Sequence, residues 1–296
     1  MLIGNSDKDN SSQADVSEGG AATQNVALDF YVITVNYNGK HHLKRLIGSL
    51  RPIPFKKKLI IVNHSPWECL DDLAVDFQVQ IINQENKGYG AGLNRGLREV
   101  RDMGAIALLC NPDITILNPD AIKDVIDYMN AHPRVACVMP SLVDREFQPT
   151  RSCREFYTFK TLLASRLPMV RNGNPKWLRE HFYIDRDCSR PFEVDWGCGG
   201  AMFFKASLFP DPLSFDERFF LYFEDVDFCS DMWQKGFSVV FHPKLVCCHD
   251  EQKQSRKGLL FFARHFTSLI KYVRKYRGLP RRQDLRQKAQ EEEVCS

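Results

Sequence analysis

The segment "LYFEDVDFC", residues 221–229, sets Glu224, Asp225 and Asp227 inside a run of Leu, Tyr, Phe and Val. Carboxylates are costly to desolvate, so such a knot needs a cation, a proton or a substrate hydroxyl as its partner. Adjacent positions of a helix face different ways. The economical arrangement therefore aims Asp225 at a cleft and leaves Glu224 and Asp227 to backbone amides or nearby Arg and Lys. Acids also favour helix N-termini, which accounts for one or two of the three but not for the apolar approach "FDERFFLYF" leading into them. A second carboxylate, Asp113, closes the apolar run "LLCNPDI", although Asn-Pro-Asp is also a common turn sequence. Magnesium or manganese favours oxygen ligands and bridges substrate phosphates with few protein groups, so Asp113 with the distant His249 could suffice for one cation.

Side chains so far apart in the chain need a scaffold that brings them to one place. "FYVITVNYNG", "KKLIIVNHS", "VQIINQE", "AIALLCNPDITI" and "RVACVMPSLVD" are short apolar strands. Between them, "KHHLKRLIGSL", "GYGAGLNRGLREVRDMG" and "PDAIKDVIDYMNAHP" have helical spacing, the last opening on proline. This alternation predicts an α/β domain with a mostly parallel central sheet flanked by helices. Ligands then bind beyond the carboxyl ends of the strands, where Asn36, Asn63, Asn86 and Asp113 should converge on one rim. The pattern fails from about 150 to 192, a basic stretch that reads as a mobile loop over the site. It returns with "FEVDWGCGGAMFFKASLF" and "FSVVFHPKLVCCHD". A dinucleotide fingerprint would follow the first strand, where "NYNG" stands instead; "GYGAGLNRG" has the wrong spacing, and no P-loop pattern occurs.

The 296 residues carry a net charge of only +3, too little for a dedicated nucleic-acid binder. No apolar run approaches the roughly 18 residues of a membrane span. Residues 1–28 are polar and read as a disordered tail without an export signal. The ten cysteines are then expected as reduced cytosolic thiols, with Cys110 and Cys137 as small core residues. No C-x-x-C pair supports a structural zinc site.

Taken together, "VITVNYNG", "NKGYGAGLNRG", "LLCNPDI", "VDWGCGGAMFFKASLF" and "FDERFFLYFEDVDFC" resemble, in the same order, the bacterial family-two inverting glycosyltransferases of the GT-A fold, in their rhamnosyltransferase-like branch. The resemblance covers about residues 30 to 256 and implies a Rossmann-like nucleotide-binding GT-A domain at 29–256. It implies that Asp113 holds a Mg2+ or Mn2+ ion on the donor diphosphate, with His249 as a further metal contact. By the same resemblance Asp225 is the general base. Asn36, Tyr37, Asn63, Gly88, Asn94 and Asn111 join Asp113 around the nucleotide sugar. Trp196, Gly199, Gly200 and Glu224 line the donor sugar and acceptor.

One position departs from the family pattern: an acid usual at the second strand, near the nucleotide base, is Val62 here, while Asn63 and Ser65 remain. The expected reaction is transfer of one sugar, L-rhamnose from dTDP-rhamnose, to a hydroxyl of a glycan or lipid-linked glycan in bacterial polysaccharide biosynthesis. The missing Gln-x-x-Arg-Trp segment disfavours processive synthesis. A sugar nucleotidyltransferase would want a glycine-rich, Arg/Lys-bearing loop after the first strand, for which "NYNGKHH" is a poor candidate; a silent nucleotide-binding scaffold is the other alternative. No Asp or Glu occurs from Gln252 through Gln283. Residues 257–296 read as a basic helical extension whose amphipathic part, 257–282, either packs on the domain or rests on anionic lipid. That places the protein in the cytoplasm, peripheral on the cytoplasmic face of the inner membrane.

Overall fold

The computed structural model describes residues 30–73, 77–102, 104–164, 173, 175–250 and 259–295; the tail expected at 1–28 lies outside them. Strands β1 (Phe30–Asn36), β2 (Lys57–Asn63), β3 (Gln78–Asn83) and β4 (Ile106–Cys110) pair in parallel, in the order β3-β2-β1-β4. Helix α1 (Lys40–Leu50) follows β1 and α2 (Tyr89–Leu97) follows β3. Alternate residues of β1 enter different cores: Phe30 and Val32 pack with Leu43 and Leu46 of α1, while Tyr31, Ile33 and Val35 pack with Leu93 of α2. Burial on both faces is what an uninterrupted apolar strand predicts.

Beyond β4 the order continues β10-β6-β11-β5. Strand β5 (Ile114–Ile116) follows the Asn111–Asp113 turn; β6 (Val135–Val143) follows α3 (Ile122–Ala131). Strand β10 (Ala201–Lys205) runs antiparallel to both β4 and β6, and β11 (Ser238–His249) is parallel to β6 and antiparallel to β5. The broken strand "AIALLCNPDITI" is thus two elements. Its second half crosses to the far side of the sheet and pairs Ile114 with His249.

The segment 150–192 carries more local structure than its irregular pattern predicts. Strand β7 (Cys153–Arg154) pairs with β9 (Trp196–Gly197), followed by the short helices α4 (Phe159–Ala164) and α5 (Lys176–His181). Elements of two to six residues are too short to show a period. Strand β8 (Phe192–Glu193) joins the edge of β11.

Helix α6 (Glu224–Gln234) covers the same face as α2, and α7 (Leu259–Tyr276) and α8 (Arg282–Cys295) close over it. The sequence periodicity is right about α7, and the packing alternative describes one of its faces. Ser268, Tyr272 and Tyr276 are buried, and their hydroxyls meet the Leu221 carbonyl, Ser230 and Asp231 at 2.9, 2.8 and 2.7 Å. Two basic residues of this helix are held by the domain rather than left to lipid. Lys271 donates to the Arg218 carbonyl, and Lys275 reaches Asp227 at 2.8 Å and Asp231 at 3.1 Å. No helix among the described residues is long and apolar enough to cross a membrane.

Candidate active site

The rim forms where β4, β10 and β11 end. Asp113 follows β4 by a three-residue turn, and its carbonyl accepts the Asp250 amide at 3.1 Å. Pairing of β5 with β11 then sets His249 beside it, Nε2 lying 3.4 Å from Asp113 Oδ1. Asp113 Oδ1 is otherwise buried without a hydrogen-bond partner. Burial opposes charge on His249, but Asp113 and the Cys198 thiol outweigh it and raise the imidazole to about 10. Asn111 Nδ2 lies 3.3 Å from His249 Nε2, and its backbone amide donates to the Gly200 carbonyl at 2.9 Å.

Gly199 and Gly200 form the turn into β10. A Cβ on Gly200 would sit 2.9 Å from His249 Nδ1, so only glycine lets the backbone approach the imidazole this closely. One residue earlier, the Gly199 amide donates to Asp225 Oδ2 at 3.1 Å, and the Tyr89 hydroxyl donates to the Gly199 carbonyl at 3.0 Å. Asp113 and Asp225 therefore flank the same two-residue turn and open onto one rim. The Tyr89 phenol registers both: burial raises it well above its usual range, aided by Cys110, Glu224, Asp113 and Asp225.

Asp225 stands in the first turn of α6 and stays partly exposed. Burial raises its pKa, opposed by the amides of Gly199 and Val226 and by the Arg154 cation. A carboxylate so placed suits proton acceptance. Glu224 takes the backbone-amide alternative, at its own helix N-terminus; it meets no Arg or Lys among the described residues, is buried, and leaves Oε2 unpartnered. Burial and the neighbouring Asp225 raise it well above the carboxylate range. Tyr222 and Phe223 deliver this pair with φ of 67° each, in the left-handed region that costs non-glycine residues energy and recurs at functional sites.

Four residues expected at the ligand serve from beneath. Asn36 and Asn63 are fully buried and hydrogen-bonded to each other at 2.9 Å. Asn36 also donates to Glu68 and accepts from the Gly39 amide, while Asn63 also binds Ser65 and Asn83. Their amides brace the ends of β1, β2 and β3 and have no polar atom left for a nucleotide. Asn94 ties α2 to Phe215 and Glu217. Trp196 is buried, its Nε1 donating to the Glu155 carbonyl. Spacing located these positions but not the direction of the side chains. Gly88 has φ +112°, and a Cβ there would meet the Phe220 carbonyl at 2.6 Å.

The exposed part of the rim lies beside them. Tyr37, His64, Pro66, Trp67, Asn83, Gln84, Glu85 and Asn86 line a groove of about 570 Å³ beyond β1–β3. The Tyr37 and Trp67 rings meet edge to face with centroids 6.4 Å apart, and burial holds His64 below the usual imidazole range. His64, Trp67, Tyr89 and Arg154 escaped the sequence reading. Only the placement of His64 and Trp67 just after β2 hinted at them. Val62, where the family usually has an acid, is fully buried under Gly96 of α2.

Among the described residues no three His, Cys, Asp or Glu side chains gather to hold a metal. A carboxylate oxygen whose one neighbour is the His249 imidazole nonetheless fits a hard cation that displaces the proton shared there and takes its remaining ligands from a diphosphate and water.

Known proteins share this architecture. The N-acetylglucosaminyl-diphospho-decaprenol L-rhamnosyltransferase of Mycobacterium tuberculosis is 25% identical over 239 residues, 74% of this chain and 75% of its own. Rhamnosyltransferase WbbL of Escherichia coli K12 is 24% identical over 264 residues, 85% of this chain and 95% of its own. The mannosyltransferase PcManGT of Pyrobaculum calidifontis, solved with GDP-Man and Mn2+, superposes with a TM-score of 0.57 at 15% identity, over 88% of this chain and 69% of its own. GalNAc-T7, solved with UDP, GalNAc and Mn2+, gives 0.55 at 13% identity, over 77% of this chain and 44% of its own. These two structures bear out the GT-A-like sheet. Residues 31–210 match the model of glycosyl transferase family 2, and with that match the chain belongs to this family of glycosyltransferases.

Proposed function

We propose that this glycosyltransferase moves a single sugar, L-rhamnose from dTDP-rhamnose, with inversion onto a hydroxyl of a lipid-linked glycan in bacterial polysaccharide biosynthesis. The linkage of Asp113 and Asp225 through Gly199–Gly200 carries this reading. It provides for the donor diphosphate and the acceptor hydroxyl on one rim. The groove of Tyr37, His64 and Trp67 takes the nucleotide, and the close backbone at Gly199 and Gly200 borders the sugar. Asp225 accepts the proton of the acceptor hydroxyl as its oxygen attacks the anomeric carbon from the face opposite the leaving diphosphate, a contribution of about 10²–10⁴-fold. Asp113 and His249 would hold a Mg2+ or Mn2+ ion, which when bound offsets the negative charge growing on the diphosphate. Glu224, whose raised pKa favours the protonated form, would donate a hydrogen bond to a sugar oxygen.

The names of the two bacterial relatives support the rhamnosyl and lipid-linked parts of this reading. The exposed Phe262 and Phe266 of α7, with Arg274, offer the surface that would rest on the cytoplasmic face of the inner membrane. The test is incubation of the full chain with a panel of nucleotide sugars and a glycosyl-diphospholipid acceptor, with and without chelator, scoring the anomeric configuration by NMR. Inverted rhamnosyl product that vanishes in Asp225→Asn, while that variant still binds donor, is expected. Turnover of a UDP- or GDP-sugar in place of dTDP-rhamnose overturns the donor assignment, and full activity of Asp225→Asn overturns the mechanism.

A further inference from the structure

Beyond Asp225 the rim continues into two arginines that the proposed reaction does not use. Strand β7 pairs Arg154 with Trp196 and Cys153 with Gly197, and the Cys198 amide donates to the Ser152 carbonyl at 2.9 Å. The segment 151–154 therefore lies alongside the chain that turns at Gly199–Gly200. The Arg154 guanidinium stands 4.8 Å from the Trp196 ring centre and 5.4 Å from that of Phe182; Arg151 stands 5.1 Å from the same Phe182 ring. Arg154 donates to the Arg151 carbonyl at 3.2 Å and to the Tyr157 hydroxyl at 3.4 Å. The Tyr157 ring in turn packs on Trp196 and on Phe223, the residue preceding the catalytic pair.

Neither arginine forms an ion pair with a carboxylate among the described residues. This is unlike Arg45 and Arg145 on Asp250, Arg218 on Asp216, or Arg282 and Arg286 on Asp195 and Glu193. Aromatic faces fix the two guanidiniums in place without neutralising them. Two fixed cations beside the same ring repel each other, and Arg154, which spends Nε and one Nη1 hydrogen on its neighbours, keeps Nη donors for phosphoryl oxygens. The order along the rim decides whose phosphate this is. Asp113 and His249 adjoin Gly200, Asp225 meets Gly199, and Arg154, paired with Trp196, lies near enough to Asp225 to favour its charge. Once the donor diphosphate occupies the Asp113 end, an anion at Arg154 belongs to the molecule whose hydroxyl meets Asp225.

We infer that Arg151 and Arg154 form a subsite for the phosphate or diphosphate of a lipid-linked acceptor. This rests on the proposed reading of the acceptor and names the group by which it is recognised. The subsite sets specificity: it draws in acceptors whose sugar is carried on a phosphate and gives nothing to a neutral glycoside.

The direct test titrates geranyl diphosphate into the full-length chain already saturated with a nucleoside diphosphate, which blocks the donor end. Wild type should bind, and Arg151→Gln and Arg154→Gln should each weaken binding roughly 10-fold or more, as loss of a charge-assisted hydrogen bond does. Arg154→Lys should retain part of the affinity. Donor binding, measured separately, should be unchanged. A second arm compares transfer to one sugar presented on a diphosphate and as a neutral alkyl glycoside; the Gln variants should raise KM for the first alone. Absence of geranyl diphosphate binding by wild type, or equal binding by the variants, overturns the inference. So does weakened donor binding, which would assign these cations to the donor diphosphate, and so does an equal loss on both acceptors, which would make Arg154 a support for Asp225 only. Failure of the rhamnosyl assignment is read elsewhere, in the donor panel, and leaves the titration intact.

Discussion

At the scale of single residues, the site is a set of acids whose protonation follows from where each is buried. Asp225 must be ionised to accept a proton, and burial raises its pKa. The acid limb of kcat/KM should therefore lie above the usual aspartate range of about 4, with activity lost as pH falls through it. A pH–rate profile checks this, and an acid limb at or below that range would remove Asp225 as the group titrating there. Gly200→Ala places a methyl group 2.9 Å from the His249 ring. Displacing the imidazole should cost activity, read as weaker donor binding, while thermal stability shifts little. Gly88→Ala is the opposite case. Its φ of +112° and the Phe220 carbonyl at 2.6 Å predict a stability loss of about 1–3 kcal/mol, measurable by urea unfolding. Residue identity alone announced Asp113, Asp225 and the glycines. It could not tell Asn36, Asn63 and Asn94, which spend their amides on neighbouring backbone and side chains, from groups that face a ligand. An asparagine at a strand end looks the same in either role.

At the scale of elements, α6 is held where it can present Asp225 by a buried cluster one turn further along. Lys275 of α7 sits among Asp216, Asp227 and Asp231, with Tyr276 on Asp231 and Arg218 on Asp216. Burial and then the Asp231 charge raise Asp227 to about 7, although Lys275 pulls the other way. Folded Asp227 thus keeps its proton at pH values where the unfolded chain has released it. The native state binds more protons in that window, so stability should fall as pH rises from about 4 to about 7. Unfolding midpoints at roughly pH 5 and pH 8 test the sign, and Asp227→Asn should flatten the difference. The strands were legible as elements because continuous apolar runs mark two-sided burial. What stayed hidden was their order. Insertion of β10 antiparallel between β4 and β6, and the crossing of β5 to β11, depend on contacts between segments some 65 to 135 residues apart, for which no local period exists.

At the scale of the whole molecule, α7 has one face on the domain and another in solvent. With Lys271 and Lys275 held by the domain, the proposed attachment to lipid would fall to Phe262, Phe266 and Arg274. Changing both phenylalanines to serine should lower partitioning into anionic vesicles about 10-fold and leave folding intact, as sedimentation and circular dichroism would show. Lys275→Met should instead destabilise the fold, because it strips away the cation shared by Asp216, Asp227 and Asp231. The basic, periodic sequence of this helix suggested both roles at once, since the amphipathic pattern does not say which neighbour takes the apolar stripe. The turn at Gly199–Gly200 has a broader consequence. One pair of peptide units is fastened to Asp225 at its first residue and abuts the imidazole at its second, so in the proposed reaction its two halves would share a single hinge pin. An insertion of even one residue at this corner would therefore throw Asp225 and His249 out of alignment together.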